Sequence, residues 1–218
     1  MRHPIRTLAP AAALAAGLLL TGCGGPEPLP EVATGARPSA PPATTAPGTE
    51  APPEAAASAA TLGGPGTACP LPVSFGLAEK WEPKAVKDPE DPDFAELTRR
   101  GPATVRCEVD AKPAGHIGFL QVWTAGKGPA RAALEGFVKA EENASKAVYK
   151  ETSTGTLPVT EVTFTTYSEL LEESKEARAF AVATPKGTVI VRLGGMDTEE
   201  HRAMLPAYEL ARTTLKVL

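Results

Sequence analysis

The stretch ATVRCEVDAKPAGHIGFLQVWT (Ala103–Thr124) decides the fold class of this 218-residue chain. Val105, Cys107 and Val109 alternate with polar residues, and this period of two predicts a strand with all three side chains on one buried face. A second alternation follows in HIGFLQVWT, and the AKPAG between them carries the proline and glycine that favour a turn. The sequence therefore predicts a β-hairpin, and with it an antiparallel sheet.

The same alternation recurs on both sides of this hairpin. We predict further strands in PVSFGLAEKWEPKAV (72–86), AVYKETSTG (147–155), LPVTEVTFTTYSEL (157–170), ARAFAVAT (177–184) and TVIVRLGG (188–195), the last two forming a second hairpin. Between the two groups of strands, PARAALEGFVKAEEN (129–143) opens on a proline and has helical spacing. Leu134, Phe137 and Val138 mark the apolar face of this central helix.

The last segment of the chain predicts a second helix. Asp197 and Glu200 stand at the spacing of a capping box, and apolar residues then recur every three or four positions. Pro206 is expected to kink this helix or to move its start. The sum is an α+β fold, in which an antiparallel β-sheet packs with a central helix and a C-terminal helix.

Residues 1–22 have the composition of an export signal. Arg2 and Arg6 precede an apolar run, Leu8–Leu20, that is too short to cross a hydrocarbon core comfortably. The tetrapeptide LTGC at the end of the run resembles the lipobox of bacterial lipoproteins, whose cysteine receives a diacylglyceryl group and becomes the first residue after cleavage. By that resemblance Cys23 is the lipidation site, and two or more acyl chains hold a protein stably at a membrane. The alternative is a secreted protein with a free cysteine.

Residues 23–66 have a different composition. Pro, Ala, Thr, Gly and Glu dominate this segment, and it cannot bury enough apolar surface to offset the entropy of ordering. Its prolines favour extended polyproline II. We predict a disordered linker that joins the lipidated cysteine to one folded domain at residues 67–218.

Two cysteines remain once Cys23 is assigned to the lipid. Cys107 lies in a predicted strand, and Cys69 lies just after the linker. An even pair of cysteines in an oxidising compartment is most simply a disulfide, which would tie the start of the domain to the sheet. A metal site would need further ligands, and a redox pair is more often spaced C-x-x-C. We therefore predict a Cys69–Cys107 disulfide and no metal site.

The run DPEDPDFAE (88–96) carries several candidate oxygen ligands for Ca²⁺. It lacks the glycine that an EF-hand loop has at its sixth position, and two prolines constrain it. We favour a solvated acidic loop, with cation binding as the alternative.

Several features follow one another along residues 70–218. They are a strand pair that ends at Trp81, a mid-chain helix, a G-x-L-P-V-x-E-x-x-F strand (Gly155–Phe164), a hairpin and a C-terminal helix. This order resembles a group of actinobacterial lipoproteins with the PsbP-like fold, which is named for an extrinsic subunit of photosystem II. The resemblance implies a PsbP-like domain here, and an accessory or binding role at a membrane face.

The sequence contains no catalytic constellation. G-x-S-x-G, H-E-x-x-H and G-x-x-x-x-G-K-[ST] are all absent. His116 is isolated, and His201 lies beside Glu199 and Glu200 in the last predicted helix, where we interpret it as a solvated residue and not a base. We predict a protein that is not an enzyme and that holds no cofactor.

The net charge of the chain limits the classes of partner that it can bind. A net charge of −4 without a basic patch argues against nucleic acid. We expect the lipid anchor to contact the cell membrane from its extracytoplasmic face, and the domain to act as a non-catalytic accessory or protein-interaction module with an envelope protein as partner. The alternative is a carrier of a small hydrophobic ligand or lipid between the sheet and the C-terminal helix, which would need a sizeable apolar pocket.

Overall fold

The computed structural model describes residues 53–218. Its strands are β1 (Ser58–Leu62), β2 (Val73–Ala78), β3 (Glu82–Ala85), β4 (Arg99–Arg100), β5 (Ala103–Asp110), β6 (Gly118–Ala125), β7 (Ala144–Thr154), β8 (Leu157–Ser168), β9 (Glu173–Thr184), β10 (Gly187–Gly195) and β11 (Lys216–Val217). Its α-helices are α1 (Ala130–Lys139) and α2 (Thr198–Thr214), and Pro92–Thr98 and Lys112–Ala114 form short 3₁₀ turns. The export signal, Cys23 and the first part of the predicted linker lie outside the described residues.

The strands build two antiparallel sheets. The larger has the order β3-β5-β6-β10-β9-β8-β7, with β4 paired to β5, and the smaller has the order β1-β2-β11. The predicted hairpins are present as β5–β6 and β9–β10, and the predicted α+β class is confirmed. The predicted strand pair at residues 72–86 is divided, because β2 joins the small sheet and β3 joins the large one.

Each face of the large sheet is covered. The α1 face is closed by Leu134, Phe137 and Val138, which pack with Trp123 and Phe164 in one buried cluster. The opposite face is covered by α2 and the small sheet, which form a second buried cluster with the large sheet. The side chains of that second cluster include Phe75 of β2, Phe180 of β9 and Tyr208 of α2. Burial of these faces supplies the main favourable free energy of folding.

Strand β5 changes face along its length. Val105 is paired with Trp123 and Cys107 with Val122, so the register shifts between them by one residue. Such a bulge reverses the side to which the following side chains point. Val105 accordingly lies in the α1 cluster, whereas Cys107 and Val109 lie in the α2 cluster. The prediction that these three residues share one face was wrong, because alternation in the sequence does not reveal a bulge.

The folded part of the chain begins before residue 67, where the linker was predicted to end. Ser58–Leu62 pair with β2 through backbone hydrogen bonds, which small residues form as readily as large ones. Gly63 follows with a φ of 90°, and a Cβ at this position would lie 2.0 Å from the Val73 carbonyl oxygen. Glycine is therefore required where β1 leaves the small sheet.

Helix α2 begins where the capping signal placed it. The Asp197 carboxylate accepts a hydrogen bond from the backbone N–H of Glu200 at 2.8 Å, as an N-cap residue does. Pro206 does not move this start, and the helix continues through it to Thr214. The carbonyl oxygen of Pro206 accepts a hydrogen bond from the Ala56 N–H at 2.9 Å, which fixes the segment before β1 against the helix.

The structure joins Cys69 and Cys107 in a disulfide with a Cα–Cα distance of 5.8 Å. Both cysteines are buried in the α2 cluster. The bond links the connection between β1 and β2 to the interior strand β5, and it therefore ties the small sheet to the large one.

Candidate interaction surface

The turn between β8 and β9 places two leucines at the tip of a hairpin. Ser168 and Glu173 are the last paired residues, and the four residues between them form the turn. Leu170 is 91% exposed and Leu171 is 45% exposed. Hairpin turns are ordinarily built from glycine, asparagine or aspartate, so leucines at this tip serve neither the turn nor the core.

The turn has a defined geometry despite this composition. The backbone N–H of Leu171 donates to the Ser168 hydroxyl at 3.3 Å. Glu172 has a φ of 52°, which lies in the left-handed region that a non-glycine residue rarely adopts. The two leucines are therefore held out from the sheet by a specific turn.

Other exposed apolar side chains lie at the same end of the large sheet. The Met196 N–H donates to the Ile117 carbonyl oxygen at 3.0 Å, just beyond the last paired residues of β6 and β10. Tyr167 precedes the turn on β8. Of the nine large hydrophobic side chains exposed in residues 53–218, five lie here. We call them the apolar end surface: Ile117, Tyr167, Leu170, Leu171 and Met196.

The support beneath this surface is fixed by contacts with the start of α2. The Glu176 N–H donates to the Thr198 hydroxyl at 3.1 Å, and the Arg202 guanidinium donates to both Glu176 carboxylate oxygens at 2.9 and 3.2 Å. The Glu200 carboxylate accepts from the Ile117 N–H at 3.2 Å. These hydrogen bonds join β9 and the segment before β6 to the start of α2.

The space between the large sheet and α2 is filled. Tyr208 is fully buried there, its ring centroid lies 5.4 Å from that of Phe180, and its hydroxyl donates to Glu161 at 3.0 Å. Burial, followed by the charge of Glu161, raises the pKa of Tyr208 well above its ordinary value, so the phenol is neutral. These contacts occupy the gap in which a carrier was expected to hold its ligand.

A network of charges adjoins Tyr208. The Arg178 guanidinium lies 3.9 Å from the Glu161 carboxylate and 3.8 Å from that of Glu209. Arg212 donates to Glu209 at 2.6 Å from the next turn of α2. Each buried carboxylate thus has a cation within about 4 Å, which offsets part of the cost of burying its charge, although the Arg178 Nε has no hydrogen-bond partner among the described residues.

Two grooves lie near the other end of α2. One has a volume of about 420 Å³ between the β7–β8 turn and the end of the helix, and the other has a volume of about 300 Å³ beside β1 and β2. Both are open to solvent. Threonines, glycines and backbone line most of them, and Lys216 is the ionisable residue that both share. Neither groove brings an acid and a base together.

The prediction for His201 was wrong. Its side chain is 1% exposed, because His201, Met204 and Tyr208 lie on the helix face that packs against the sheet. Burial, followed by the charge of Arg178, lowers the pKa of His201 to about 4. Its Nδ1 atom has no hydrogen-bond partner among the described residues. His116 is half-buried, with its Nδ1 3.5 Å from the Glu200 carboxylate.

This burial predicts a loss of stability in mild acid. The pKa of His201 falls from about 6.5 in the unfolded chain to about 4 in the folded one. Its neutral form therefore contributes fully to the free energy of unfolding above pH 6.5, and this contribution is lost as the pH falls towards 4. We expect a loss of about 2 kcal/mol in the free energy of unfolding between pH 7.5 and pH 5. Urea unfolding at a series of pH values measures it.

His201→Leu removes the titrating group and His116→Gln serves as the matched control. As the pH falls, the wild type should lose about 2 kcal/mol of unfolding free energy relative to His201→Leu, and His116→Gln, which keeps His201, should show the same loss relative to His201→Leu. Glu176, Arg178, Arg192 and Arg202 also act on His201 and are retained in both variants. Parallel pH profiles for wild type and His201→Leu would contradict the prediction.

The acidic run 88–96 is held by ordinary loop contacts. Asp88 accepts from Arg106 at 2.8 Å, and Asp91 caps the 3₁₀ turn by accepting from the Asp93 N–H at 2.9 Å. Within residues 53–218 no group of three or more histidine, cysteine or acidic side chains converges for a metal ion.

Comparison with known proteins places the chain in a family. Residues 39–215 match the family model described as uncharacterised lipoprotein. The chain belongs to this lipoprotein family. The resemblance to lipoproteins drawn from the sequence is thereby confirmed, while the actinobacterial origin stays a prediction.

Among solved structures, this lipoprotein is similar to the solution structure of cyanobacterial PsbP (CyanoP) from Synechocystis sp. PCC 6803. The identity is 11% and the TM-score is 0.47, over 72% of this chain and 97% of that one. No curated protein matches the sequence. In residues 53–218, neither α-helix combines the length and the hydropathy needed to cross a bilayer.

Proposed function

We propose that this lipoprotein is a non-catalytic accessory module that binds an envelope protein through the apolar end surface. Cys23 would carry the lipid that holds it to the cell membrane, on the extracytoplasmic face. Membership of a lipoprotein family supports the anchor. The observation that carries the interaction is the hairpin tip, where Leu170 is 91% exposed.

The interior contacts favour this function over the carrier. A carrier needs an apolar cavity for its ligand, and here Tyr208, Phe180 and a charge network occupy the space beneath α2. Apolar side chains at one end of a domain, by contrast, are the usual centre of a protein–protein interface.

Site-specific photocrosslinking in the native envelope tests the proposal. A photoreactive amino acid at position 170 of the full-length chain is expected to capture one protein. The same amino acid at position 97 is the matched control, because Leu97 is 78% exposed but lies in the segment before β4. Leu170→Ser with Leu171→Ser should lower co-purification of that protein at least about tenfold, since each buried leucine contributes about 1.5–3 kcal/mol.

Two results would contradict the proposal. One is capture of the same proteins from positions 170 and 97. The other is capture of phospholipid alone from position 170, which would assign the surface to the membrane.

A further inference from the structure

Acidic side chains surround the apolar end surface. The segments that carry it, residues 116–117, 167–176 and 196–202, contain seven aspartates and glutamates but one lysine and one arginine. Glu169, Glu172 and Glu173 flank the two leucines directly and are exposed. Asp197, Glu199 and Glu200 follow Met196, and Glu176 lies on β9.

The cations in these segments are committed to other contacts. The Lys175 ammonium donates to the carbonyl oxygen of Gly195 at 2.9 Å. Arg202 forms its two-pronged hydrogen bond with Glu176. Lys112, in the neighbouring β5–β6 loop, lies over the Phe119 ring at 5.9 Å. The carboxylates around Leu170 and Leu171 therefore give this end a negative rim.

We infer that the partner of the apolar end surface is a protein with an apolar patch bordered by lysine or arginine side chains. The inference rests on the proposed function and adds the chemistry of the partner. An apolar centre with a charged rim is the ordinary anatomy of a specific interface, and opposite charges on the two rims raise the association rate and exclude other partners.

The same rim argues against the membrane as occupant. Anionic lipids give a membrane a negative surface potential that repels carboxylates within a Debye length, about 8 Å at physiological salt. Glu169, Glu172 and Glu173 adjoin the leucines, so insertion of the hairpin tip would bring these charges to that surface.

Defined amphipathic peptides test the inference on the full-length lipoprotein in nonionic detergent micelles. One fluorescent peptide has leucines on one helical face with lysines along both borders of that face, and its twin has glutamate in place of lysine. We expect the lysine peptide to bind at least about tenfold more tightly than its twin at low salt. The preference should largely disappear at 1 M salt, where the Debye length is about 3 Å.

Two sets of variants locate the binding. The triple variant Glu169→Gln, Glu172→Gln and Glu173→Gln should lower the affinity for the lysine peptide about tenfold, because three charges of the rim are removed. The matched control is Glu90→Gln with Asp93→Asn and Glu96→Gln, three exposed acidic residues in or next to the 3₁₀ turn before β4, and it should leave the affinity unchanged. Leu170→Ser with Leu171→Ser should abolish binding.

Each other outcome overturns the inference. Equal binding of both peptides, equal weakening by both triple variants, or no binding of the lysine peptide excludes a basic partner. Leucine-dependent binding to phosphatidylglycerol vesicles assigns the surface to lipid. These outcomes differ from a failure of the proposed function, which the photocrosslinking experiment would show as a lack of specific protein capture from position 170.

Discussion

Replacing Arg178 with methionine is expected to lower the free energy of unfolding by about 3–5 kcal/mol. Arg178 is shared by Glu161 and Glu209, whose side chains are 15% and 5% exposed. Arg212 stays with Glu209 in the variant, so Glu161 is left without a cation beneath α2. Its remaining hydrogen bond, from the Tyr208 hydroxyl, does not balance a full negative charge. Urea unfolding at neutral pH measures the loss.

Arg106→Met is the matched control for this variant. Arg106 pairs with Asp88 at 2.8 Å, but the two side chains are 37% and 70% exposed, and exposed pairs contribute about 0–1 kcal/mol. Adding Glu161→Gln to Arg178→Met should recover part of the loss, because the uncompensated charge is then absent. Equal losses for Arg178→Met and Arg106→Met would show that the buried network does not carry the effect.

Removal of the disulfide is expected to lower the free energy of unfolding by about 4 kcal/mol in the chain-entropy description. The bond closes a loop between residues 38 apart in sequence, and both cysteines lie in the interior. Without it, the unfolded chain gains freedom, and the small sheet loses its covalent link to β5. The measurement is denaturant unfolding of Cys69→Ala with Cys107→Ala beside the oxidised wild type.

A reductant supplies the internal control. The wild type should lose stability on reduction and approach the double variant, whereas the double variant itself should not respond. Thiol labelling of the unfolded chain without reductant checks the bond directly. A reactive Cys69 or Cys107 in that assay, or equal stability of the two proteins, would be the opposite result.

The elements that sequence reasoning found are those whose stability is local. The β5–β6 hairpin, the apolar face of α1 and the Asp197 cap each depend on residues within a few positions of one another. Short sequence patterns, such as apolar residues at a period of two or 3.6, therefore predict them. The pairing of strands that are distant in the sequence is not predicted by such patterns. β11 has two residues and pairs with β2, more than a hundred positions earlier, so no local pattern could indicate the small sheet.

His201 is a different case, because its signal was present. It stands three and seven positions before Met204 and Tyr208, which places all three on one helix face. Histidine is more often exposed than buried, but its position on the apolar face of α2 determines its burial here. The apolar end surface was missed for the reverse reason, since Leu170 was included in a predicted strand and only the observed turn shows it at the tip.

The bulge in β5 has a consequence for cooperativity. The strands of the large sheet contribute side chains to both buried clusters, so we expect loss of either cluster to weaken strands on which the other also depends. Trp81 belongs to the α2 cluster and Trp123 to the α1 cluster, and they are the two tryptophans of the chain. The tryptophan fluorescence of this lipoprotein therefore combines two signals, one from each buried cluster.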